Sequence, residues 1–124
     1  VSNDSRAKDN IGYRKLIIWR ESHKLMLAIY RSTEGFPNSE LFGIVSQLRR
    51  ASLSVPTNIV EGYSGNSKKL FHRYLDIAFR SITEVEYLIE VSKELDYLSD
   101  KHYQILENQR AKTTALMRKF INNI

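Results

Sequence analysis

The stretch from Gln47 to Gly62, QLRRASLSVPTNIVEG, constrains this chain more than any other. At about 100° per residue on a helix, Leu41, Ile44, Leu48, Ala51, Val55 and Ile59 form one apolar stripe. Gln47, Arg50, Ser54, Asn58 and Glu61 form a polar stripe beside it, and Phe42, Leu53, Pro56 and Val60 share a further apolar face. A surface helix of a monomer is apolar on one face only. Two apolar faces predict a helix buried twice, once in its own core and once against another surface. Arg49 falls on the second face, where it would need an acceptor on a neighbouring subunit or at the interface rim.

Pro56 interrupts this pattern chemically. It has no N–H, so the carbonyl of Ser52 loses its helical partner, and its ring disfavours helical geometry at Val55. Two helices meeting at Pro56 would satisfy these constraints. The apolar spacing nevertheless passes through the proline unbroken, and no Gly or Asn flanks it, which favours one kinked helix.

The rest of the chain is punctuated in the same helical rhythm. Residues 1–15 are polar and aperiodic and read as a mobile tail. A first helix is expected from about Leu16 to Thr33, ended by the segment Glu34 to Ser39, which contains Gly35 and Pro37. Ser39 is the expected N-cap of a second helix, from Glu40 to Tyr63. Gly62 and Gly65 then break the chain, and Ser67 caps a third helix reaching about Leu98. The stripe of that helix runs through Phe71, Leu75, Ala78, Ile82, Val85, Ile89 and Leu95. Ser99 caps a fourth, with Leu106, Gln109, Thr113, Met117, Phe120 and Ile124 on one side. No segment alternates with the period of a strand. The expected fold is all-α: one antiparallel up-down-up-down four-helix bundle over residues 16–124.

Composition narrows function by exclusion. The 124 residues contain no cysteine, which removes disulfides and thiolate metal sites. No apolar run approaches a membrane span, the first ten residues lack the apolar core of a signal peptide, and a cytoplasmic protein is expected. His23, His72 and His102 fall on different helices without a second ligand one turn away, so no metal or cofactor is expected. The ladder Glu86, Glu90, Glu94 reads as a solvated face. The turn GYSGNSKK lacks the Walker spacing and reads as one helix end and one capped helix start.

Two polar groups carry more weight. Net charge is +5, and Lys68, Lys69, His72, Arg73 and Arg80 on the third helix form a basic surface suited to nucleic-acid backbone. No exposed aromatic platform stands among them, so phosphate contact without base readout is expected. Gln47, Arg50, Ser54, Asn58 and Glu61, with Ser81 and Glu84 of the third helix, border the core. They are expected to form a structural network, Arg50 with Glu84 and Asn58 with Ser81, rather than a catalytic site.

The run Trp19, Tyr30, Thr33, Phe36-Pro37, Glu40, Phe42-Gly43, Gln47 to Ala51, Ser54-Val55-Pro56, Asn58-Ile59, Glu61-Gly62, then Ser81-Ile82 and Glu84, resembles the four helix bundle protein family encoded by intervening sequences in bacterial 23S ribosomal RNA genes. The resemblance covers about residues 13–120, with Val60 where the family usually has Ala. It implies a bundle that assembles into a homopentamer. It also implies kinship with the basic, nucleic-acid-binding accessory protein of diversity-generating retroelements, and no enzymatic activity. The expected function is that of a non-enzymatic oligomer presenting basic surface to RNA or a ribonucleoprotein. The alternative is a protein-binding scaffold.

Overall fold

A computed structural model describes residues 11–124. Four α-helices account for most of them: α1, Ile17–Thr33; α2, Ile44–Tyr63; α3, Lys68–Glu94; and α4, Asp100–Asn122. Two 3-10 turns, Gly12–Lys15 and Asn38–Glu40, precede α1 and α2. No strand occurs among the described residues. Each helix packs on its neighbour in sequence, and α4 closes back on α1.

On α2, α3 and α4 the core follows most of the stripes expected from periodicity, Ile124 being exposed, and α1 adds Ile18 to them. Ile18, Leu25 and Ile29 of α1 meet Leu48, Val55 and Ile59 of α2, Leu75, Ile82, Val85 and Ile89 of α3, and Leu106 and Met117 of α4, all buried. Each large side chain so buried contributes roughly 1.5–3 kcal/mol against its exposed state. Contacts between chain ends fix which segments share a pole of the bundle. At one pole Lys15 lies over Tyr63 at 5.7 Å, Tyr63 meets Phe71 at 6.1 Å, and Phe71 meets Phe120 at 6.0 Å. At the other, Phe36 packs on Tyr97 at 5.4 Å, and the Tyr97 hydroxyl donates to Glu40 Oε2 at 2.7 Å.

Several boundaries differ from expectation. Helix α2 begins at Ile44, capped by Gly43 rather than Ser39. Its first N–H is met from outside: Ile44 N donates to Glu40 Oε1 at 3.4 Å. A Cβ on Gly43 would stand 2.6 Å from that oxygen, so a larger residue here would push the capping carboxylate aside. Leu41 consequently leaves the core stripe and is exposed. Helix α3 ends at Glu94, not Leu98. Asp96 takes a left-handed φ of 63°, Tyr97 N donates to Ser92 O, and Asp96 N donates to Lys93 O, the paired bonds of a Schellman ending. Leu95 is therefore exposed. Ser67 and Ser99 cap as expected, accepting from Leu70 N and His102 N at 3.1 Å.

The expected tail is shorter than residues 1–15. Residues 1–10 lie outside the described residues, and the 3-10 turn Gly12–Lys15 is held by Arg20 Nε donating to the Arg14 carbonyl at 2.7 Å. Helix α2 ends at Tyr63 as expected, with Gly62 still inside it. Gly62 is buried there, and a Cβ would stand 2.8 Å from Tyr74 Cβ and from the Phe71 ring.

Helix α2 passes through Pro56 as one element. The Thr57 hydroxyl donates to the Leu53 carbonyl at 2.7 Å, beside the proline ring. Pro56 itself is buried within the chain and does not belong to an outer face. The reason is that α2 packs on both α1 and α3, which widens its inner face beyond one stripe. Arg49 is likewise engaged internally. Its Nε donates to Thr33 Oγ1 at 2.9 Å and its Nη2 to the Tyr30 carbonyl at 3.3 Å, and its guanidinium lies over the Tyr30 ring. It thereby satisfies carbonyl and hydroxyl groups at the C-terminus of α1, where a cation also suits the helix dipole.

Candidate nucleic-acid interface

The pole that gathers Lys15, Tyr63, Phe71 and Phe120 is also the cationic one. Segments 11–24, 54–80 and 112–124 carry eleven Lys and Arg against three Asp and Glu. The remaining described segments, 25–53 and 81–111, carry six against nine. Periodicity along α3 alone reveals only part of this segregation, because the other cations come from the first 3-10 turn, α1 and α4.

The residues expected on α3 are placed as follows. Lys68, Lys69 and Arg73 are exposed and make no hydrogen bond or ion pair among the described residues. Their charges are available to a phosphate backbone. Arg80 is exposed but paired with Asp76 at 3.2 Å, one turn earlier. His72 is half-buried, with Nε2 3.3 Å from the Ile124 carbonyl, so it ties α3 to the end of α4. The structure thus brings Lys68, Lys69 and Arg73 to the cationic pole and gives His72 and Arg80 intramolecular partners.

Sequence reasoning missed a second cluster at this pole. Trp19 and His23, four apart on α1, stack with ring centroids 4.8 Å apart and planes 15° apart. The Arg14 guanidinium lies 5.3 Å from the Trp19 ring centre and 5.4 Å from that of Tyr13. Trp19, Arg20, His23 and Lys24 line a surface groove of about 330 Å³. Burial, with Arg14 nearby, pushes the His23 pKa below the ordinary histidine value. The available signal was the spacing of Trp19 and His23 with Arg14, Arg20 and Lys24 around them.

The polar network at the α2–α3 contact exists in its short side chains, but Ser54 and not Asn58 is the partner of Ser81, and its long side chains take no part. Ser54 Oγ and Ser81 Oγ meet at 2.9 Å, and Asn58 Nδ2 donates to Ser54 O at 2.8 Å and to Ser54 Oγ at 2.9 Å. Arg50 and Glu84 are both exposed and unpaired among the described residues, contrary to expectation, as are Gln47 and Glu61. Hydroxyls fit the narrow seam, whereas long charged groups at its edge reach water without the cost of desolvation.

Buried charge sits elsewhere. Glu21 of α1 is 3% exposed and accepts from Gln109 Nε2 at 3.0 Å, Lys24 Nζ at 3.2 Å and Lys112 Nζ at 3.2 Å. Burial raises its pKa, and the bonds from Gln109, Lys24 and Lys112 outweigh this, leaving the carboxyl below its ordinary value. Arg110 of α4, also buried, is paired with Glu107 and with Glu86 at 3.2 Å. Among the described residues, no buried side-chain polar atom lacks a partner and no group of three His, Asp or Glu is placed to hold a metal ion.

In the turn before α2 Phe42 is 93% exposed; on the outside of the helix Leu53 is 42% exposed and Val60 half-buried. Tyr30, Leu41, Phe42, Val45, Arg49 and Leu53 border an open groove of about 520 Å³. Of the expected second face, Leu53 and the half-buried Val60 stay on α2, Phe42 is exposed on the turn before it, Pro56 is buried and Arg49 is already bonded.

Fold and charge define a small all-α bundle protein with a cationic pole. More particularly, the chain belongs to the 23S rRNA-intervening sequence protein family, whose model matches residues 14–119. A crystal structure of a protein of unknown function from the S23 ribosomal protein family, from Bacteroides thetaiotaomicron VPI-5482, is similar with a TM-score of 0.79 and 22% identity. That similarity covers 86% of this chain and 96% of the other, and at this identity it bears on the fold. No curated protein matches the chain. No helix among the described residues is long and apolar enough to cross a membrane.

Proposed function

We propose that this chain is a non-enzymatic, self-assembling, cytoplasmic bundle that binds RNA, free or within a ribonucleoprotein, through its cationic pole. The observation that carries this reading is the segregation of charge, eleven cations against three acids at one pole, with Lys68, Lys69 and Arg73 unpaired among the described residues. Such a surface attracts polyanions by counterion release and needs no sequence readout. Membership of a family described by its 23S rRNA intervening sequences is in keeping with an RNA partner. The contacts at the two poles support the up-down-up-down arrangement, which sets the starts of α1 and α3 at the same pole, on opposite corners of the bundle.

Self-assembly rests on Phe42, just before α2, and Leu53 on its outer side, which border an open groove also lined by Arg49 and Arg50. Monomers rarely leave such groups uncovered together. A contact repeated head to tail closes a ring, and the family resemblance sets the ring at five copies. The same groove favours a second reading, a protein-binding scaffold without RNA. Purification from the native host, with and without RNase, separates the two. Co-purifying RNA whose removal also releases the partners is the expected result. Partners that stay bound after RNase, with no RNA recovered from untreated material, would establish the scaffold instead.

A further inference from the structure

We propose that the Trp19–His23 stack is the seat of an unpaired nucleobase, so that the cationic pole takes single-stranded nucleic acid in preference to duplex. This rests on the RNA-binding reading above and adds a site to it, because none of the basic residues expected on α3 lies in this groove.

Three observations converge on the groove. First, the groove is lined by two aromatic rings, Trp19 and His23, stacked on each other 15° from parallel. The Arg14 guanidinium also lies over Trp19, outside the lining, so a base would add to the exposed end of the stack. Bases splayed from a strand stack on aromatic and guanidinium planes whatever their identity. Second, the groove of about 330 Å³ is bordered by Arg20 and Lys24 as well as by the rings, which puts cations where the flanking phosphates of a stacked nucleotide would lie. Lys24 remains largely exposed while bonded to Glu21 at 3.2 Å. Third, the imidazole is held below the ordinary histidine pKa, by burial first and Arg14 second, so near neutral pH it offers an uncharged face. Bases inside a duplex are already stacked and cannot enter, so duplex would meet only the phosphate-binding cations.

Trp19 is the chain's sole tryptophan, so its fluorescence reports this groove alone. The full chain is titrated with short oligouridylate, oligothymidylate, an RNA duplex and inorganic polyphosphate. Binding is followed independently by anisotropy of labelled nucleic acids and by competition for polyphosphate. Both single strands should quench Trp19, since stacking does not depend on the sugar, whereas duplex and polyphosphate should bind without quenching. His23→Ala should weaken single-strand affinity about tenfold and leave duplex affinity unchanged. Single-strand binding without quenching, or unchanged affinity in His23→Ala, overturns the base seat and leaves the phosphate-binding reading standing. Absence of binding by every probe overturns both.

Discussion

Gly62→Ala sets two opposed effects against each other at a close approach of α2 and α3. Alanine is preferred over glycine inside a helix by about 1 kcal/mol, and Gly62 is one residue from the end of α2, where that gain is smaller. Against it, the new Cβ would stand 2.8 Å from Phe71 Cδ1 and 2.8 Å from Tyr74 Cβ. The Phe71 ring can turn aside. Tyr74 Cβ is fixed to the backbone of α3, so the helices must part or shift. Overpacking of this kind costs about 1–3 kcal/mol. The clash therefore wins, with a net loss of about 1–2 kcal/mol. For a domain of this size that lowers the midpoint by about 3–8 °C. Thermal unfolding followed by circular dichroism tests it. An unchanged or raised midpoint would show that propensity dominates and that α2 and α3 are not in rigid contact here.

Three further outcomes follow from the site geometry. The Glu21 carboxyl lies below its ordinary value in the folded chain, so the stability it contributes is present at neutral pH and lost as pH falls through that folded value; acid unfolding of Glu21→Gln should be correspondingly less steep below about pH 4, by denaturant titration at several pH values. Arg50→Ala should leave the unfolding midpoint within about 0.5 kcal/mol of the parent, because the side chain is exposed and unpaired among the described residues, whereas a loss of several kcal/mol would reinstate a buried pair with Glu84. Phe42→Asp with Leu53→Asp should shift sedimentation equilibrium from oligomer towards 14.5 kDa without loss of helix content, and a parent chain already monomeric at micromolar concentration would refute the assembly.

What the sequence disclosed and what it hid divide along range. Caps at Ser67 and Ser99 were legible because the donor and acceptor lie three residues apart. So were the core stripes, whose period is a property of one helix. The start of α2 was not, because Glu40 is positioned jointly by Tyr97, 57 residues away, and by the missing Cβ of Gly43. The end of α3 was hidden by an aspartate taking a left-handed turn more often filled by glycine. Pro56 and Arg49 were assigned to an outer face because a single-helix projection cannot tell how many neighbours a helix packs against. The buried partners of Glu21 and Arg110 are set partly by other helices, as is the cationic pole. Its α3 portion was visible as a run of charge, but its union with Arg14, Lys15 and Arg118 exists only once the bundle forms.

The central claim, that the cationic pole holds RNA by its phosphates, is tested most directly by salt dependence. Single-stranded RNA affinity is measured by anisotropy across a series of salt concentrations for the parent chain and for Lys68→Ala, Lys69→Ala and Arg73→Ala combined. Each phosphate contact on a single strand contributes about 0.7 to the slope of log affinity against log salt, so losing three should flatten it by about 2 and weaken binding to all sequences alike. An unaltered slope and affinity in the triple variant would contradict the assignment of RNA binding to this pole.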